Sequence, residues 1–209
     1  MTARVEIGEC RPDTPVTAMR EGSRRELVCR GVALGGAMVA AGSISALTGV
    51  RDALARAEGD EAILEAAVRL ELEAAFAYDT MLEGGRFDAP AGRLVRLFRD
   101  QERDHAAGLT TALRNRGGRP PAAPRAATAV PGLAEAAGGG RKAMLTFAAE
   151  LEMMAVAAYS EAIGKLEDPI LLSTTASIMA NEGQHLAILR QQLGQNPVPN
   201  AFETGRAVE

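Results

Sequence analysis

Apolar positions recur every three or four residues along four separate stretches of the chain, and glycine, proline or short polar turns end each stretch. In the first, Leu64, Val68, Glu71, Ala75, Tyr78 and Leu82 share one stripe, which predicts a helix from about Asp60 to Glu83, closed by Gly84 and Gly85. In the second, Leu94, Phe98, Glu102, His105, Leu109 and Ala112 align. That helix should start at Asp88-Ala89-Pro90, an acidic cap followed by an early proline, and end near Arg116 before two glycines. The third stripe is Leu145, Ala148, Glu152, Val156, Tyr159 and Ile163, on a helix from about Arg141 to Leu166. The fourth is Leu171, Ile178, Glu182, His185 and Leu189, on a helix opened by Asp168-Pro169 and stopped at Leu193 before Gly194.

The connections constrain the topology. The first and last are short, so helices one and two should be antiparallel neighbours, as should helices three and four. Between the pairs lies a segment of 115–140, rich in Pro, Ala and Gly. Helices of this length run roughly 37 Å. The middle segment is long enough to return along the bundle and start helix three parallel to helix two. Part of it, Gly132 to Ala137, could itself be helical. The tail after 195 contains Pro197-Val198-Pro199 and reads as irregular, with no fifth helix expected.

Each apolar stripe carries polar chemistry at its middle. The only two histidines, His105 and His185, each follow a glutamate by three residues, Glu102 and Glu182. That spacing puts both side chains of a pair on one helix face. The helices before them hold Glu71, seven residues ahead of Tyr78, and Glu152, seven ahead of Tyr159, the only two tyrosines. The chain therefore repeats Glu, Tyr, Glu-x-x-His at an interval of about 80 residues. Four carboxylates facing one apolar core would be strongly unfavourable without a compensating cation. Two divalent ions would balance four glutamates and two neutral imidazoles. Two further acids, Glu73 and Glu150, lie two residues from this set and about 200° around the helix, so they are expected on the solvated face, with Glu73 pairing to Arg69.

Composition adds little to the fold but bears on location. Apolar residues make up 47% of the chain, mostly helix-favouring Ala and Leu, with aromatics at only 3%. The formal charge is -4 and no basic patch stands out, so nucleic acid is not an expected partner. Cys10 and Cys29 are the only cysteines, and they form no C-x-x-C metal knuckle. Ser23-Arg24-Arg25-Glu26-Leu27 precedes a Gly/Ala-rich apolar run from Gly31 to Val50, with Arg51 behind it. This resembles a twin-arginine export signal, with small residues near Ser43 and Ser45 for cleavage. An uncleaved membrane tether is the alternative.

One Glu from each of two helices, with Glu-x-x-His from each of the other two, resembles the ferritin-like di-iron carboxylate proteins. The resemblance covers roughly residues 60–193. It implies an all-α, ferritin-like antiparallel four-helix bundle with a long crossover between helices two and three. The expected organisation is a signal segment over 1–50, a bundle over 51–194 and a tail over 195–209. By the resemblance, the metal ligands are Glu71, Glu102, His105, Glu152, Glu182 and His185, with Glu102 and Glu182 bridging two Fe ions, or alternatively Mn. Tyr78 and Tyr159 are candidates to hydrogen-bond ligand carboxylates or, equally, ordinary core residues. Some relatives in that superfamily place Asp directly before the Glu of the motif; here Gln101 and Asn181 stand there, and an amide raises histidine basicity less. The implied function is an exported protein that oxidises ferrous iron or consumes O₂ or peroxide. Its expected partners are metal ions, O₂ or peroxide and the twin-arginine machinery, with a homodimer as candidate assembly. The alternative is a non-enzymatic metal-binding or structural protein of the cell envelope.

Overall fold

A computed structural model describes residues 52–205 apart from 55. The signal segment over 1–50 lies outside the described residues. The bundle comprises α1 (Asp60–Glu83), α2 (Ala89–Asn115), a short α3 (Leu133–Gly138), α4 (Gly140–Ile163) and α5 (Pro169–Gln192), with a 3₁₀ turn at Ala127–Ala129. No strand occurs among the described residues.

The helix boundaries have local causes. The Asp88 carboxylate accepts from the Ala91 amide at 3.0 Å, and Pro90 sits in the first turn of α2. At α5 the Asp168 carboxylate accepts from the Ile170 and Leu171 amides at 2.7 and 3.3 Å, with Pro169 leading the helix. Each cap satisfies amides that have no partner within the helix. Gly117, at φ 86°, ends α2 in a left-handed turn, and the Gly118 amide reaches back to the Leu113 carbonyl at 3.0 Å. A β-carbon at Gly118 would stand 2.2 Å from the Leu113 side chain, so any larger residue would have to displace that buried leucine.

Polar ties at the two ends of the bundle fix the path of the chain. Arg116, just past α2, pairs with Asp168 at the start of α5, while Asp60 accepts from the Glu167 and Asp168 amides at 2.9 and 3.1 Å. The start of α1, the end of α2 and the α4–α5 turn therefore share one end. At the other, Arg86 in the α1–α2 turn donates to the Ala137 carbonyl. The segment between Arg116 and Ala137 thus traverses the length of the bundle. It makes α2 parallel to α4, and the pairs α1/α4 and α2/α5 antiparallel.

The crossover is part of the core. Val130 and Leu133 are buried, and α3 lies against α4 and α1. The expected helix over Gly132 to Ala137 is observed as Leu133–Gly138. The four long helices differ in how much of their circumference they bury. α2 buries one face, with Val95, Phe98, Glu102, Leu109 and Leu113 inward. α1 buries residues on nearly every side, including the consecutive Ala66, Ala67 and Val68 and the run Glu73 to Ala75. No helix among the described residues is long and apolar enough to cross a membrane.

Candidate metal centre

Six side chains from four helices converge at the middle of the bundle. α1 supplies Glu71, α4 supplies Glu152, α2 supplies Glu102 and His105, and α5 supplies Glu182 and His185. Their donor atoms form two clusters, each spanning no more than 4.8 Å. The first holds Glu71, Glu102, His105 and Glu182; the second holds Glu102, Glu152, Glu182 and His185. Glu102 and Glu182 belong to both.

The two clusters are nearly equivalent. His105 Nδ1 lies 3.0 Å from Glu182 Oε1, 3.4 Å from Glu102 Oε2 and 3.5 Å from Glu71 Oε2. His185 Nδ1 lies 3.0 Å from Glu102 Oε1, 3.2 Å from Glu182 Oε2 and 3.5 Å from Glu152 Oε1. Each shared carboxylate turns one oxygen to each histidine. The nearest carboxylate to either histidine comes from the opposite half of the repeat.

These atoms crowd together without bonding one another well. Both oxygens of Glu102 and of Glu182, Glu152 Oε2 and both Nδ1 atoms are buried yet outside hydrogen-bond geometry. Buried polar atoms are seldom left this way, and seven around one point is far from the norm. The arrangement fits cations better than it fits protons. Tetrahedral or octahedral ions with carboxylate and imidazole ligands would engage the orphaned lone pairs from both sides.

Titration in the metal-free chain follows from the same crowding. Burial lowers the basicity of His105, but contacts with Glu102, Glu182 and Glu71 outweigh it and lift its pKa to about 12. His185 behaves alike: burial pulls down, Glu102, Glu152 and Glu182 push up, and the result is again about 12. Glu152 is raised to about 7 by burial and by the neighbouring Glu182, with His185 opposing. Glu102 is also raised well above the usual carboxylate range, by burial first and then by Glu152 and Glu182. Without a metal, the cluster compensates its charge by holding protons.

The tyrosines cross between the halves. Tyr78 of α1 donates to Glu152 Oε1 of α4, and Tyr159 of α4 donates to Glu71 Oε1 of α1. Both are fully buried, and burial together with the adjacent carboxylates keeps their hydroxyls protonated far into the alkaline range. They act as fixed donors that orient Glu71 and Glu152. Beyond them, His185 Nε2 lies 2.8 Å from Gln101 Oε1, so this ring nitrogen donates outward and Nδ1 is the atom turned to the glutamates. Phe98 stacks on the same imidazole at 4.1 Å between centroids and meets Tyr78 edge-on at 5.9 Å. Periodicity places Phe98 on the stripe but carries no sign of the stack.

The expected solvated position of Glu73 is not what the structure shows, and Glu150 is half-buried. Glu73 is only 9% exposed, and Arg69 pairs with Glu65 at 3.7 Å. Burial lifts Glu73 to about 7 despite Arg69, and burial also raises Glu150. α1 buries far more than one face, so a residue about 200° around the helix from Glu71 still meets protein.

The fold and the converging carboxylates and imidazoles define a helical bundle with a buried cluster that could hold metal. The family model described as a ferritin-like domain matches residues 59–195, and the chain belongs to that family. Neither the comparison with curated proteins nor that with solved structures gave a match.

Proposed function

We propose that the chain binds two iron ions between α1, α2, α4 and α5 and uses them to oxidise ferrous iron or to react with O₂ or peroxide. The seven orphaned donor atoms at one buried point carry this reading. Glu71, Glu102, His105 and Glu182 would hold one ion, and Glu102, Glu152, Glu182 and His185 the other, the shared carboxylates bridging. Two adjacent irons would supply reversible one-electron chemistry at a single site. The chain's own part is to fix the geometry. Tyr159 and Tyr78 orient Glu71 and Glu152, Gln101 orients His185, and Phe98 keeps water off that imidazole.

Metal analysis of protein purified from its native host tests the reading. About two Fe per chain is expected, with an absorbance change when the reduced protein meets O₂ or peroxide. Substoichiometric metal that is unchanged in Glu102→Ala and His185→Ala would reject it. A second reading, metal binding without turnover, draws support from Gln101, because an amide behind His185 strengthens the ligand less than a carboxylate. Full metal occupancy with no spectral response to either oxidant favours this second reading.

Export by the twin-arginine route, to the periplasm, envelope or exterior, belongs to the same proposal. Arg24 and Arg25 ahead of the Gly31–Val50 run support it. A reporter fused behind residues 1–55 should lose transport when both arginines become lysine. Transport indifferent to that change rejects the route.

A further inference from the structure

The two halves of the site are alike at the donor atoms and unlike at the walls. Glu102 and His105 correspond to Glu182 and His185 at an offset of 80 residues. Carrying that offset outward, Phe98 corresponds to Ile178, Leu97 to Ser177, Leu94 to Thr174, and Gly108 to Ile188. At every one of these pairs the smaller or more polar residue lies on the His105 side. That side is open. A cavity of about 500 Å³ runs between α2 and α5, walled by Gly108, Thr174, Ser177, Ile178 and Asn181, with His105 on its lining and Asp104 beside it. The His105 side chain is 14% exposed, against 1% for His185, which Phe98 covers.

We propose that this groove is the port through which hydrated divalent cations reach the cluster, and that the His185 side is sealed. The inference rests on the metal-centre reading above. The chemistry of the walls suits a cation. Thr174 donates its hydroxyl proton to the Ile170 carbonyl at 2.8 Å, and Ser177 donates to the Ser173 carbonyl at 2.9 Å. With those protons committed to the α5 backbone, both oxygens have only lone pairs left for the groove. Acceptors are what the water shell of a cation needs as it is shed stepwise. Asp104 adds a negative charge that favours a cation nearby. Gly108 keeps the passage clear, since a β-carbon there would meet nothing within 4 Å and would project into open space.

Uptake kinetics test the port without reference to turnover. Metal-free full-length protein is mixed with Co²⁺, and the visible absorption of the bound ion is followed by stopped flow. Gly108→Ile, which installs the residue of the sealed half, should slow uptake on the order of tenfold while the final stoichiometry stays that of wild type. Replacing a mid-helix glycine raises helix propensity, which favours folding of the variant. Ser177→Leu, on the opposite wall, should act in the same direction. Leu97→Ser, at the corresponding exposed position of the sealed half, should leave the rate unchanged. Wild-type rates in both Gly108→Ile and Ser177→Leu overturn the port while leaving the metal centre standing. A Leu97→Ser effect as large as theirs also overturns it. A wild-type chain that takes up no Co²⁺ removes the centre, and the port with it.

Discussion

The His105 and His185 halves of the cluster share a donor set and almost the same distances, yet differ in the walls around the two imidazoles. His105 reaches Glu182, Glu102 and Glu71 at 3.0, 3.4 and 3.5 Å; His185 reaches Glu102, Glu182 and Glu152 at 3.0, 3.2 and 3.5 Å. Around His185 there is an aromatic lid and an amide acceptor. Around His105 there is a groove with hydroxyl and amide side chains. The duplicated interior would suit the pair of adjacent metals proposed above. The divergent exterior is where one half could specialise in access and the other in rigidity, because wall residues are free to change once the donors are fixed.

The largest effect expected is on the pH dependence of the metal-free protein, where the halves should behave alike. Both imidazoles move from 6.5 to about 12 on folding, so the folded chain holds their protons where the unfolded chain releases them. The resulting stabilisation is complete below pH 6.5 and is lost progressively as pH rises toward 12. Glu152, raised from 4.5 to about 7, adds a decline between those values. Denaturant unfolding of metal-free protein at pH 6.5 and 9 should show lower stability at the higher pH. His105→Ala and His185→Ala should each remove a similar share of that slope. Metal loading must displace the same protons, so a pH indicator in weak buffer should register acid release as Co²⁺ binds.

Stability at a single pH should separate the halves. His185→Ala removes a fully buried ring, its stack with Phe98 and the partner of Gln101, at a cost of about 3 kcal/mol. His105→Ala, at the open groove, should cost about half as much. Equal losses in urea titrations would show that the walls do not differ energetically. The tyrosines return to symmetry: Tyr78→Phe and Tyr159→Phe should weaken metal affinity by roughly tenfold each, as read by competition with a chelator. A large inequality between them would contradict the matched cross-bonds to Glu152 and Glu71. Smallest of all, Phe98→Ile gives the sealed half the residue of the open half, at a cost of about 1 kcal/mol. It should increase exchange of solvent near His185 and add a second, slower route for Co²⁺.

The sequence by itself determined the helices, their order and which six polar side chains share the inward stripes. Asp88-Ala89-Pro90, Asp168-Pro169 and the paired glycines act through local hydrogen bonds and backbone angles, so they mark helix ends without knowledge of neighbours. The repeat singled out Glu71 and Glu152 from the many acids because two copies of one spacing had to serve one site. The structure brings all six expected donors together.

Periodicity fixes which side of a helix a residue occupies but not how many neighbours surround that helix. Only the tertiary structure decided that α1 is enclosed on most sides, which is why Glu73 is buried rather than paired with Arg69 at the surface. Only packing decided that Tyr78 meets Glu152 and Tyr159 meets Glu71, since each pair is joined across two helices more than 70 residues apart in the chain. The open groove at His105 and the Phe98 lid on His185 likewise depend on how α2 and α5 face each other. Spacing along one helix constrains its own face; contact between faces is a property of the assembled bundle.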